Sequence, residues 1–178
     1  IDVKVTLLDG SRACVAIAGE FIQAVLPEGS MPPADTGRVI DGSGYLCTPA
    51  LYNAHTHAGM TLMRGFADDM PLMPWLQNAI WPAEARLTPE AIYWGTKLAC
   101  YEMIRTGTVC FADMYWHIEE GARAVKETGM RALLSTVMIK FLDLPFREMA
   151  EEAAAAWKEG ALGRKTMLSI APHAPYTV

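Results

Sequence analysis

The run Thr48-Pro49-Ala50-Leu51-Tyr52-Asn53-Ala54-His55-Thr56-His57-Ala58-Gly59 decides how this sequence folds. It continues an apolar stretch, Tyr45 to Leu51, that reads as a strand. Side chains two apart on an extended strand point to the same side, so His55 and His57 can aim both imidazoles at one point. Two neutral imidazoles on one side, with Gly59 easing the exit from the strand, make half of a zinc or iron site. The spacing alone leaves a plainer alternative open, two histidines hydrogen-bonded in a polar loop.

Outward from this run the chain has two textures. The first 48 residues are β-rich: Val3 to Leu8 ends at Asp9-Gly10, Cys14 to Ala18 ends at Gly19, and Phe21 to Leu26 comes next. Pro27-Glu28-Gly29-Ser30-Met31-Pro32-Pro33 reads as a loop, after which Val39-Ile40 and Tyr45-Leu46-Cys47 resume the strand pattern. From Pro49 onward strands alternate with helices. Thr88-Pro89-Glu90 combines an N-cap, a proline at the first helical position and an acidic first turn, and it opens a helix that closes at Arg105-Thr106-Gly107. Thr108 to Met114 reads as a buried strand, Ile118 to Lys126 as a helix ending near Gly129, and Arg131 to Ile139 as a strand. Phe146 to Glu159 reads as a helix stopping at Gly160, and Thr166 to Ala171 as a strand running into Pro172-His173-Ala174-Pro175. The order β-α-β-α-β-α-β with near-continuous apolar strands predicts an α/β fold whose parallel sheet is covered on both faces.

Composition bounds the function. The 178 residues carry 15 Lys+Arg against 20 Asp+Glu, a net charge of −5. That balance, with no basic run, argues against nucleic acid or an anionic membrane as partner. With 52% hydrophobic and 20% charged residues the chain can build a core. No apolar run approaches the roughly 18 residues of a membrane span, and Ile1-Asp2-Val3-Lys4 starts no signal peptide, so a soluble cytoplasmic protein is expected. Cys14, Cys47, Cys100 and Cys110 form no CxxC pair and read as reduced, mostly buried small residues.

The histidine motif and the downstream segments Arg64-Gly65-Phe66-Ala67-Asp68-Asp69-Met70-Pro71, Trp81-Pro82-Ala83-Glu84-Ala85-Arg86-Leu87-Thr88, Cys110-Phe111-Ala112-Asp113-Met114-Tyr115 and Ala171-Pro172-His173-Ala174-Pro175-Tyr176 resemble the amidohydrolase superfamily. Within it the chain is most similar to the cytosine deaminase and chlorohydrolase branch, and there to 5-methylthioadenosine/S-adenosylhomocysteine deaminases. The resemblance covers essentially the whole chain; Ala50 stands where glycine is usual. It implies a (β/α)8 metal-dependent hydrolase barrel, its first half at residues 49–178, preceded by part of a small β-sandwich-like domain at residues 1–48. It further implies one divalent metal, zinc with ferrous iron as the alternative, with His55 and His57 as the first two ligands. Glu84 and His173 match positions that hold a nucleoside, a carboxylate suiting a ribose diol because its oxygens only accept hydrogen bonds. The remaining ligands and the proton-shuttling residues are expected beyond residue 178, so this chain holds no assigned catalytic residue. The implied substrate is an aminopurine nucleoside, and a homo-oligomer is expected of the full-length protein. The alternatives are a related enzyme acting on guanine, a pterin or a chlorotriazine, and a non-catalytic fragment.

Other residues keep two readings. Lys165 lies at the start of its strand, on the order of 25 Å from the catalytic end at about 3.3 Å per residue, which excludes it as a bridging ligand of a two-metal centre. Asp113 could orient a ligand histidine or cap the helix near Ile118. His117 reads as a loop residue. Trp75, Leu76 and Trp81 could wall a purine pocket or simply pack helices. Relatives that deaminate methylthioadenosine or S-adenosylhomocysteine tend to carry an arginine at the end of the third strand, and Ser135-Thr136-Val137-Met138 has none, which puts recognition of a homocysteine carboxylate in doubt; the nearest, Arg147, reads as a solvated helix start. The segment after position 48 is about half of the roughly 250 residues of a complete barrel, so the front half of a larger enzyme, unstable on its own, is expected.

Overall fold

Pro49 divides the chain. The computed structural model describes residues 1–30, 37–175 and 177–178; Met31, Pro32 and Pro33 of the expected loop, and Tyr176, lie outside them. The described chain forms two compact units, Ile1–Pro49 and Ala50–Val178.

The first unit is a four-stranded sheet of β1 (Asp2–Thr6), β2 (Arg12–Ala18), β3 (Phe21–Pro27) and β4 (Val39–Leu46), in the order β3-β2-β1-β4. The first three strands are antiparallel neighbours, and β4 runs parallel to β1. Gly10 and Gly19, with φ of 83° and 60°, make the two tight turns that the other residue types resist. The two short segments anticipated at Val39-Ile40 and Tyr45-Cys47 are joined in one strand, irregular in register between its pairings to Lys4 and Thr6. The apolar stretch Tyr45 to Leu51 is therefore not one strand. Its first residues finish β4, where the Cys47 amide still donates to the Thr6 carbonyl, and the next strand begins at Leu51, whose amide donates to Gly107. Pro49 between them has no N–H to continue a ladder.

In the second unit β5 (Leu51–Thr56), β6 (Thr108–Met114), β7 (Arg131–Met138) and β8 (Thr166–Pro172) pair in parallel in chain order. After β5 come a 3₁₀ segment, Ala58–Met63, and the short helices α1 (Leu72–Trp75) and α2 (Trp81–Glu84), joined through a π-helical turn at Leu76–Ile80. The helices α3 (Pro89–Arg105), α4 (Ile118–Thr128) and α5 (Phe146–Lys158) connect the strands. The α3 cap is formed as anticipated, with Thr88 Oγ1 accepting from the Ala91 amide at 3.1 Å. Gly129 closes α4 at a φ of 78°. This succession is the first four strands of a (β/α) barrel.

Cys100 and Met103 of α3, Phe111 of β6, Ala122 and Val125 of α4, Ala132 and Leu134 of β7, and Leu162 form the core of this unit. The sheet is not covered evenly. The central strands are buried, whereas β5 and β8, paired on one side, leave Leu51, Tyr52, Met167 and Ile170 exposed. All four cysteines are free thiols. Among the described residues no helix is long and apolar enough to cross a membrane.

Candidate active site

The carboxyl ends of β5 to β8 open onto a cavity of about 730 Å³. His57 lies directly after β5, Tyr115 and His117 after β6, Ile139 after β7 and His173 after β8; Glu84 enters from the end of α2. Parallel α/β sheets bind ligands at this end, where the loops converge. Trp75, Leu76 and Trp81 line the cavity as well, with Met60, Met73, Leu142 and Leu144. Among the described lining residues there is no lysine or arginine.

His55 and His57 meet edge to face, their ring centroids 5.0 Å apart. His57 Nδ1 lies 2.8 Å from the Met114 carbonyl oxygen. A carbonyl only accepts, so Nδ1 carries the proton and Nε2 keeps its lone pair, the tautomer a metal-binding histidine needs. Among the described residues no set of three or more His, Cys, Asp or Glu side chains is placed to hold a metal ion. The pair therefore fits a metal as two donors of the three or four that a zinc site takes from protein.

Asp113 is buried at 6% exposure, and its Oδ1 accepts from the Ala58 amide at 2.7 Å and from the Thr56 hydroxyl at 2.8 Å. The single Thr56 proton is shared with the Ala112 carbonyl at 2.9 Å. Burial pushes the Asp113 carboxyl above the usual range, and the Ala58 and Thr56 bonds pull it back. Asp113 does not cap α4, whose first residue comes after His117 without a side-chain cap. His117 itself is left-handed at a φ of 54°, a strained turn at the mouth of the cavity.

Glu84 is half-buried, and that burial raises its carboxyl pKa against the opposing influence of Tyr115 and His57. The Tyr115 ring stands 6.2 Å from His57, and its buried hydroxyl has no partner in hydrogen-bond geometry. Burial, and after it the neighbouring Glu84, pushes the phenol strongly up, so it stays protonated and available as a donor. His173 Nδ1 lies 3.1 Å from Thr177 Oγ1, which donates its one proton to the Ala174 carbonyl at 3.0 Å. Nδ1 must then be the donor, leaving Nε2 of the neutral ring as an acceptor. Burial, with His57 and His55 nearby, lowers the His173 pKa and favours that neutral ring. In this arrangement only the imidazolium donates through Nε2.

The following placements agree with the sequence reading. Lys165 is at the opposite end of the sheet, its Nζ donating to the Gly129 carbonyl at 3.1 Å. Thr136 is buried within β7, and Arg147 is exposed at the start of α5. Tyr115, Thr177 and Gly95 carry weight that was not anticipated. Tyr115 could have been found as the first residue past a buried strand at the catalytic end. Gly95 gave no signal beyond a weak point in a helix. A Cβ there would fall on the Gly59 carbonyl, and one at Gly59 would lie 2.6 Å from Tyr115 Cε1.

Known proteins match this arrangement. The profile of the Amidohydrolase family matches residues 46–178. A 5-methylthioadenosine/S-adenosylhomocysteine deaminase of Pelotomaculum thermopropionicum is 52% identical over 167 residues, covering 92% of this chain and 38% of that protein. A 5′-deoxyadenosine deaminase of Methanocaldococcus jannaschii is 43% identical over 178 residues, 98% of this chain and 42% of the relative. The crystal structure of an adenosine deaminase from Xanthomonas campestris with bound zinc superposes with a TM-score of 0.84 at 35% identity, over 99% of this chain and 43% of that one. The chain thus spans about two-fifths of the length of these relatives. With a profile match across the whole parallel sheet and relatives of this similarity, the chain belongs to the amidohydrolase family.

Proposed function

We propose that the protein containing this chain removes the exocyclic amino group of an adenosine-type nucleoside by hydrolysis. The observation that carries this reading is the convergence of His57, Glu84 and His173 on one cavity, with His55 beside His57. The deaminase names of the relatives support it. His55 and His57 would hold one divalent metal, zinc in the first instance as in the Xanthomonas campestris structure. Such a metal, when bound, supplies water whose pKa is lowered to about 7.

The residues of this chain bind and orient. Ionised Glu84 accepts hydrogen bonds from the two ribose hydroxyls, which fixes the nucleoside by its sugar. Neutral His173 accepts from a substrate hydroxyl or amino group through Nε2, and Thr177 holds the ring for it. Trp75 and Trp81 offer faces against which a purine can stack while water is excluded. A small soluble nucleoside is the partner, which suits the cytoplasm and involves neither nucleic acid nor membrane.

The test uses full-length protein loaded with zinc and, separately, with ferrous iron, and measures ammonia release from aminopurine nucleosides, guanine and a pterin, and chloride release from a chlorotriazine. Aminopurine nucleosides should give a kcat/KM at least about tenfold above guanine, the pterin and the chlorotriazine, a difference of about 1.4 kcal/mol. No ammonia from any aminopurine nucleoside overturns the reading.

A further inference from the structure

Beside Asp113 lies a second, very small cavity of about 10 Å³, lined by Thr96, Asp113, Tyr115, Ser135 and other residues. Three observations meet there. Thr96 is fully buried, and its hydroxyl has no hydrogen-bond partner, although buried hydroxyls are as a rule satisfied. The cavity is the size of one water, and its wall offers the polar partners a buried water requires. Asp113 is a buried carboxylate without an ion-pair partner among the described residues, and both bonds it accepts come from the segment carrying the two histidines.

The bond from Ala58 pins the backbone immediately after His57, and the bond from Thr56 pins the residue between His55 and His57. The strand register sets this up, since Thr56 pairs directly with Asp113 across β5 and β6. On the other side His57 is tied to Met114, the residue after Asp113. One short stretch of β6 therefore fixes the imidazole pair from two directions.

We propose that Asp113, together with one water buried against Thr96 and Ser135, is a positioning unit that holds the His55–Ala58 segment in its metal-binding geometry. This rests on the metal-centre reading above. Asp113 touches neither metal nor substrate; it sets the direction of the two imidazoles. The water satisfies Thr96 and braces the carboxylate.

The test compares full-length wild-type protein with Asp113→Ala, Asp113→Asn and Thr96→Val. It measures zinc affinity by competition with a chromophoric chelator, the visible spectrum of the cobalt(II)-loaded protein, and the melting temperature of the metal-free protein. Asp113→Ala should lose about 10- to 100-fold in zinc affinity, as other partners behind metal ligands do. Asp113→Asn retains a carbonyl oxygen for the Ala58 amide and should recover to within about fivefold of wild type, with the wild-type cobalt spectrum. Thr96→Val keeps the shape but removes the water's anchor, and should lower the metal-free melting temperature by about 2–4 °C. Wild-type affinity in Asp113→Ala, or no recovery in Asp113→Asn, overturns the proposal while leaving the metal centre intact. A higher melting temperature in Thr96→Val shows an orphaned hydroxyl and overturns the water. If Asp113→Ala does not fold, Asp113→Asn and Thr96→Val decide. A wild-type protein that holds no metal overturns the functional reading itself.

Discussion

Replacing Gly95 by alanine tests how tightly α3 is fitted beneath the histidine segment. On helix propensity alone the change should stabilise, by up to about 1 kcal/mol. The structure predicts the opposite sign. A Cβ at Gly95 would overlap the Gly59 carbonyl oxygen and stand 3.0 and 3.1 Å from the carbonyl carbon and Cα of Gly59. Ordinary carbon contacts are about 3.5–4.0 Å, so helix and segment must part by about 0.5–1 Å. The obstacle is backbone, which cannot swing aside, so the strain belongs at the upper end of the roughly 1–3 kcal/mol of an overpacked core. Setting about 3 against about 1 leaves a net loss near 2 kcal/mol, a fall in melting temperature of about 4–8 °C for a domain of this size. The same substitution at Gly121 of α4 is the control. Its Cβ would lie 3.5 Å from Leu134 Cδ1, an ordinary contact, so Gly121→Ala should stabilise. Thermal or urea unfolding of both full-length variants, metal-free, reads the difference. If Gly95→Ala is as stabilising as Gly121→Ala, the close approach of α3 to Gly59 is refuted.

Glu84→Gln should raise KM for nucleosides about tenfold or more with a smaller change in kcat, because a charged acceptor for the ribose is replaced by a neutral amide. Burial raises the Glu84 pKa, so in metal-free protein stability falls as pH rises through that raised value. Glu84→Gln should accordingly melt above wild type at pH 7, and the gain should vanish at about pH 3, below the ordinary carboxylate range. Cys100, fully buried with its thiol pushed up to about 11 by that burial, should resist iodoacetamide at about pH 8 in folded protein and label promptly in denaturant, as peptide mass spectrometry will show. Phe111→Ala empties the middle of the core and should cost about 3–5 kcal/mol in urea unfolding; a loss below about 1 would mean Phe111 is not central.

What the sequence disclosed and what it withheld divide along physical lines. β6 was readable to the residue because its apolar run is bounded by Gly107 and by the polar turn at His117. The helix from Pro89 was readable because Thr88 and Pro89 act locally, on backbone groups within one turn. Apolarity misled at Tyr45 to Leu51, since side-chain character does not register where a proline interrupts the ladder. The histidine pair was legible from a two-residue period, but the proton positions on its rings were not. Those depend on Met114 and, for His173, on Thr177, partners fixed by the tertiary arrangement. The role of Asp113 was half legible. Its place at the catalytic end could be counted along β6, whereas its partner had to wait for the register that sets Thr56 opposite it.

That register explains why so much of the site hangs on backbone. The Met114 carbonyl orients His57, the Ala58 amide meets Asp113, and the Gly59 carbonyl rests against Gly95. None of these contacts depends on the identity of the side chain that supplies it, but each depends on the pairing of β5 with β6 and on the seating of α3. Side chains alternate faces along a strand, so a slip of one residue between β5 and β6 would turn Asp113 away from Ala58 and carry the Met114 carbonyl out of line with His57 at once. Insertion of a single residue within 109–112 should therefore abolish metal binding even though every histidine, Glu84 and Asp113 remains. An insertion before α5, at Asp143-Leu144, disturbs the cavity wall but leaves that pairing intact, so metal binding should be retained.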